Sequence, residues 1–163
     1  MVDCRVLLLD GAVQLSEADD VYTSSLLADS QYDQADVLIL GGGDGALLAH
    51  LVHHHQPRQV TMVELDGAVM RVVRDHMHSV TKGVLDSETT ERYNIITGDA
   101  LKHLSDCQKE NKKYDFIFGD LTDVPIDTDH HCKGKILLNR LSKRKLNFLL
   151  PPLHFWSPHF CRG

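Results

Sequence analysis

The chain is short of long apolar runs, of closely paired cysteines and of repeated composition, and each shortage closes off a class of protein. No apolar stretch approaches the roughly 20 residues that a membrane-spanning helix needs. The N-terminus lacks the basic, then apolar, then small-residue order of an export signal. A cytoplasmic chain with no membrane partner is therefore expected. The four cysteines, Cys4, Cys107, Cys132 and Cys161, are widely separated and form no Cys-x-x-Cys pair. That spacing fits neither a disulfide framework nor a zinc ribbon, so reduced thiols are the default. Internal repeats and low-complexity tracts are absent too, and nothing suggests collagen, a coiled coil or wholesale disorder. What remains is 163 residues, 42% hydrophobic and 25% charged, the size of one globular domain with a single core.

The net charge of −6 conceals an asymmetry along the chain. Through Pro125 there are 10 Lys and Arg against 21 Asp and Glu; from Ile126 onward there are 7 against 2. The first part suits a domain that handles cations, and the last reads as a different kind of sequence. The expected organisation is an α/β domain over residues 1–129 and a basic tail over 130–163.

Short β-branched runs alternate with amphipathic stretches, the pattern of a parallel α/β sheet. Arg5 to Leu9 reads as a strand closed by the Asp10-Gly11 turn. Ser16-Glu17-Ala18-Asp19-Asp20 reads as the capped start of a helix to about Ala28. Strands are then expected at Asp36 to Leu40, Gln59 to Glu64, Tyr93 to Thr97 and Tyr114 to Gly119. Helices are expected at Gly45 to His55, Asp66 to Met77 and Ala100 to Cys107. Connected in order, these give a Rossmann-like, doubly wound parallel sheet of the class I methyltransferase type, incomplete on its C-terminal side.

Gly41-Gly42-Gly43-Asp44-Gly45, directly after the first core strand, is a nucleotide-binding turn that carries an acid. Gly41 and Gly43, with Ala46 in the third small position, let an adenosine-bearing ligand approach the backbone. Glu64, about 20 residues further on at the end of the next strand, is placed to accept hydrogen bonds from ribose hydroxyls. Asp44 would repel a pyrophosphate or the carboxylate of S-adenosylmethionine and would attract a sulfonium or an ammonium. Asp99 follows the third core strand and Asp120 ends the fourth, so four acids fall at successive strand ends, the ligand-binding edge of such a sheet. Any one of them alone reads as a helix N-cap or a solvated loop acid.

These segments resemble the polyamine aminopropyltransferases. The matching stretches are Leu9-Asp10-Gly11, EADDVY at 17–22, VLILGGGDG at 37–45, VTMVELD at 60–66, GDA at 98–100 and YDFIFGDLTDVP at 114–125. Asp-Leu-Thr-x-Val-Pro at 120–125 resembles the spermine synthase branch, which favours spermidine over putrescine as acceptor. The resemblance implies transfer of an aminopropyl group from decarboxylated S-adenosylmethionine, a co-substrate, with no metal and no further cofactor. It implies Asp120 as general base, Asp44 as the group that orients the amines, Glu64 as the ribose anchor, Asp99 and Ala100 near the adenine, and Tyr22 lining the acceptor channel. On the sequence alone, Tyr22 also reads as a packing residue of a helix face.

The sequence departs from the family where an N-terminal β-domain, used for homodimer contacts, and a Tyr-Gln-x-Ile donor segment would stand. After Asp129 the resemblance stops, and Ile136 to Leu150 reads as a basic, partly amphipathic helix. Two functions stay open: spermine synthesis, or a catalytically silent form that binds nucleoside or pairs with a full-length subunit. An S-adenosylmethionine-dependent methyltransferase is disfavoured by Asp44. His53-His54-His55 reads as a surface helix end, His130-His131-Cys132 lacks zinc-site spacing, and Lys143-Arg144-Lys145 reads as a solvated basic patch with no nucleic-acid partner.

Overall fold

The computed structural model of the chain describes residues 4–9, 11–17 and 32–121. Four short runs dense in Val, Ile, Leu and Phe become parallel strands because both of their faces can be buried, which is what continuous apolar strands require. They are β3 (Asp36–Gly41), β4 (Gln59–Glu64), β5 (Tyr93–Thr97) and β6 (Phe116–Asp120), in the spatial order β5-β4-β3-β6. Ahead of them, β1 (Val6–Leu9) and β2 (Ala12–Ser16) form an antiparallel hairpin. The helices are α1 (Ala46–His54), α2 (Gly67–His76), the single turn α3 (His78–Thr81) and α4 (Ala100–Lys109).

Alternation along β3 divides the core into two layers. Val37 and Ile39, with Val60, Met62, Ile95 and Phe118, pack against Leu48 and Leu51 of α1 and Val73 of α2. Leu38 and Leu40, with Val63 and Ile117, pack against Leu104 and Cys107 of α4 and against Tyr114. Val37, Leu38 and Ile39 are fully buried, and each such side chain contributes about 1.5–3 kcal/mol of apolar burial. Helices thus cover both faces of the sheet, as the doubly wound reading requires.

Register brings the strand ends level, with Gly41 opposite Asp120, Leu40 opposite Val63 and Glu64 opposite Thr97. From β3 the chain moves outward through β4 to β5 and then crosses to β6 on the other flank of β3. The loops after β3 and β6 therefore part from each other, and that parting opens the crevice. At the opposite edge, Arg58 binds both oxygens of Asp36 at 2.8 and 2.6 Å, and the Asp36 N–H donates to Asp115 at 2.8 Å. These contacts align the starts of β3, β4 and β6.

The hairpin corrects one expectation. Ser16 ends β2 instead of starting a helix, and the Glu17 N–H donates to the Arg5 carbonyl at 3.1 Å, extending the hairpin. The Glu17 carboxylate accepts from the Arg5 N–H and from the Ser79 hydroxyl, which ties the hairpin to α3. The remainder of that expected helix, Asp10, Tyr22, the boundary at Asp129 and the tail over 130–163 lie outside the described residues.

Candidate active site

The crevice begins with a turn that only glycine can build. Gly41 has φ of 86°, a left-handed conformation, and a Cβ there would stand 1.9 Å from the Asp120 carbonyl oxygen. Its absence lets β3 and β6 close together, and the Gly42 N–H donates to that same carbonyl at 3.0 Å. At Gly43 the conflict is with a side chain: a Cβ would lie 2.8 Å from the Glu64 carboxyl. With glycine there, the Gly43 N–H donates to Glu64 Oε2 at 2.9 Å.

Glu64 is held from two directions. Its Oε1 accepts from the Asp66 N–H at 2.8 Å, and its own carbonyl accepts from the Gly98 N–H at 2.8 Å. One N–H per oxygen leaves each oxygen a lone pair for a ligand, and two charge-assisted hydrogen bonds fix the carboxylate's direction. A diol such as the 2′ and 3′ hydroxyls of a ribose fits that presentation.

Asp44 is half-buried beside this group, and its Oδ1 accepts from the Ala46 N–H at 2.9 Å. Burial pushes its carboxyl above the usual range, the nearby Glu64 carboxylate pushes it further, and the Ala46 hydrogen bond opposes both. A carboxyl so placed is poorly served as an anion, and an arriving cation relieves it.

Asp99 plays the local part that an isolated strand-end acid plays. Its Oδ1 accepts from the Leu101 N–H at 2.7 Å and, more weakly, from the Lys102 N–H at 3.4 Å, capping α4. Ala100 is the first residue of that helix. Asp120 ends β6, and its Oδ2 lies 3.4 Å from the point where a Cβ on Gly42 would be, so its carboxylate turns toward the glycine turn.

The structure thus brings Gly41, Gly43, Asp44, Glu64, Asp99, Ala100 and Asp120 to one edge of the sheet. Tyr22 is among the residues not described. Sequence reasoning missed the backbone N–H of Asp66 as the second clamp on Glu64. It also missed three exposed leucines, Leu65, Leu101 and Leu121, that stand one or two residues beyond Glu64, Asp99 and Asp120. Their signal was an apolar residue placed just past a strand-end acid, outside the buried run.

The histidine run belongs to the opposite end of α1. His54 stacks on His50 with ring centroids 4.5 Å apart, His53 approaches the Lys82 carbonyl, and Tyr32 meets His55 edge-on at 5.4 Å. His130-His131-Cys132 and Lys143-Arg144-Lys145 are not among the described residues.

Comparison with known proteins identifies the family and the fold. Residues 20–146 match the spermine/spermidine synthase domain. The polyamine aminopropyltransferase of Pectobacterium atrosepticum is 34% identical over 123 residues, which cover 73% of this chain and 41% of that protein. The Sulfolobus acidocaldarius enzyme of the same name is 36% identical over 123 residues, covering 73% and 39%. A spermidine synthase crystal structure in complex with the transition state analogue AdoDATO superposes with a TM-score of 0.60 at 26% identity, covering 72% of this chain and 39% of that one. Spermidine synthase from Thermotoga maritima gives 0.57 at 25%, covering 71% and 39%. The chain spans about two-fifths of the length of these relatives. By its matched domain and its fold, it belongs to the spermine/spermidine synthase family.

Proposed function

We propose that this crevice transfers an aminopropyl group from decarboxylated S-adenosylmethionine to spermidine, yielding spermine and methylthioadenosine. The observation that carries the proposal is Asp44, a half-buried carboxyl beside a second carboxylate at the mouth of a nucleotide-binding turn. Such a site favours a nucleoside whose substituent is cationic and lacks a carboxylate, and it disfavours ordinary S-adenosylmethionine.

The roles follow from position. Glu64 receives the ribose hydroxyls through its outward lone pairs. The start of α4, at Asp99 and Ala100, borders the adenine. Asp44 faces the ammonium of the aminopropyl arm. The acceptor amine has an ordinary pKa near 10 and arrives protonated. Asp120, across the turn, binds that cation and accepts its proton. The freed lone pair then attacks the carbon bonded to sulfur, the C–N bond forms as the C–S bond breaks, and the bonding electrons return to sulfur as a neutral thioether. Holding the two reactants in line supplies much of the acceleration. Tyr22 completes the acceptor side in this reading. Spermidine is preferred to putrescine because of the Asp-Leu-Thr-x-Val-Pro segment that begins at Asp120. A cytoplasmic setting belongs to the same reading, and the free thiols of Cys4 and Cys107 suit it.

The test is turnover by the purified chain, with product amines resolved chromatographically. Spermine is expected from spermidine, and Asp120→Asn should lower the rate by about 10²–10⁴, the usual share of a general base. No product from spermidine or putrescine at high protein concentration refutes the transfer reading. Methylthioadenosine binding that persists in that case, and is lost in Glu64→Ala, would reduce it to nucleoside binding.

A further inference from the structure

Three aspartates in the strand-to-helix connections grip the chain in the same way. Asp44, Asp66 and Asp99 each accept, through Oδ1, the N–H two residues further on, from Ala46 at 2.9 Å, Ala68 at 2.7 Å and Leu101 at 2.7 Å. Asp66 adds a second link. Its own N–H donates to Glu64 Oε1 at 2.8 Å, so two-residue links run in series from Ala68 to Asp66 and from Asp66 to Glu64. The other oxygen of Glu64 takes the Gly43 N–H at 2.9 Å, which carries the series across to the glycine turn.

Asp66 is exposed and is the N-cap of α2, with φ of −108° and ψ of 97°. Its side chain satisfies a helix N–H that has no partner within the helix, and that bond holds the backbone angles of the cap. Holding φ restrains the peptide unit that carries residue 66's own N–H. A hydrogen bond weakens steeply as it bends, so the direction of that N–H governs how firmly the Glu64 carboxylate is aimed. The Asp66 carboxylate itself is committed to the positive end of α2.

We propose that Asp66 is a positioning residue for nucleoside recognition: its side chain fixes the start of α2, and its backbone N–H, fixed with it, aims the Glu64 carboxylate at the ribose diol. This rests on the reading of Glu64 as the ribose anchor. Asp66 touches no substrate and acts through Glu64.

The test pairs methylthioadenosine titration calorimetry on the full chain, far below the melting temperature of each variant, with proton–nitrogen correlation spectra. Asp66→Ala should bind about 3- to 30-fold more weakly, the span that lost caps cover. Asp66→Asn keeps the cap and should bind like the parent. The residue-66 amide proton should lie downfield in the parent and in Asp66→Asn, and should move upfield in Asp66→Ala and in Glu64→Ala. Asp66→Gly, a milder cap loss, replaces an alanine variant that fails to fold. Parent-like affinity in Asp66→Ala overturns the proposal, and so does an Asp66→Asn as weak as Asp66→Ala. Weaker binding with the amide proton unmoved overturns it as well, because the loss then arises elsewhere. In each of these cases, parent binding that is lost in Glu64→Ala leaves the ribose anchor standing. Parent binding that survives Glu64→Ala, or a parent that does not bind, overturns both.

Discussion

Gly43→Ala separates the stability of the fold from the readiness of the site. An added Cβ at this position would meet the Glu64 carboxyl at 2.8 Å, so the carboxyl must move. Because the obstructing atoms are the far end of a flexible side chain, the movement costs the fold little. Alanine also removes some freedom from the unfolded chain, which offsets part of that cost. The melting temperature should therefore change by less than about 3 °C, the shift that corresponds to roughly 1 kcal/mol in a chain of this size. Binding should fare differently. The displaced Glu64 loses the Gly43 N–H and no longer presents its lone pairs to the ribose, an interaction of the charged hydrogen-bond class worth about 1.5–3 kcal/mol. Methylthioadenosine affinity should fall by about 10- to 150-fold, read by isothermal titration calorimetry. Gly41→Ala is the contrasting variant, because its Cβ would strike the Asp120 backbone and force a left-handed alanine. That protein should melt much lower. Parent-like nucleoside affinity in Gly43→Ala, or a melting loss equal to that of Gly41→Ala, would refute the account of Glu64 as a held ribose anchor.

The other expectations concern two acids. Asp44 has a folded pKa above its unfolded value, so the folded chain holds more protons between the two values and stability falls as pH rises through that window. Asp44→Asn should remove that fall and melt higher than the parent at pH 7, while the two should converge below about pH 3, under the unfolded carboxyl value; thermal scans across this range decide it, and parallel curves would count against the raised pKa. Asp99→Ala should cost about 1 kcal/mol through loss of the α4 cap, whereas Asp99→Asn preserves the cap. If Asp99 also borders the adenine, Asp99→Asn should keep the melting temperature and weaken methylthioadenosine binding several-fold. Unaltered binding would restrict Asp99 to capping.

The core of this fold was legible because β3, β4, β5 and β6 are short runs rich in β-branched and aromatic residues, each closed by a glycine or an acid, and the helices between them carry a 3.6-residue period. Of the hairpin, β1 was legible as the Arg5 to Leu9 strand and β2 was not, since Val13 and Leu15 give only two apolar positions of alternation and β2 acquires its meaning from pairing with β1. Ser16 and Glu17 show the same difficulty: a small hydroxyl residue before acids writes a helix cap and a strand exit in the same letters. The site acids were legible as a set and ambiguous one by one. Asp99 caps a helix while standing at the ligand edge, and no local pattern distinguishes those duties. Leu65, Leu101 and Leu121 escaped notice because a leucine in sequence reads as core until the fold shows it exposed.

Glu64 carries a consequence for how the rim of the crevice behaves. Its two carboxylate oxygens and its carbonyl receive the amide hydrogens of Gly43, Asp66 and Gly98, one from each of three successive strand-to-helix connections. A single residue thus gives those connections a common fastening. When the rim loosens, the three should loosen together, and on the proposed reading of Glu64 as ribose anchor a bound nucleoside would damp all of them without touching each. The arrangement of the recognition surface is accomplished while the chain folds, leaving the arriving ligand little left to organise.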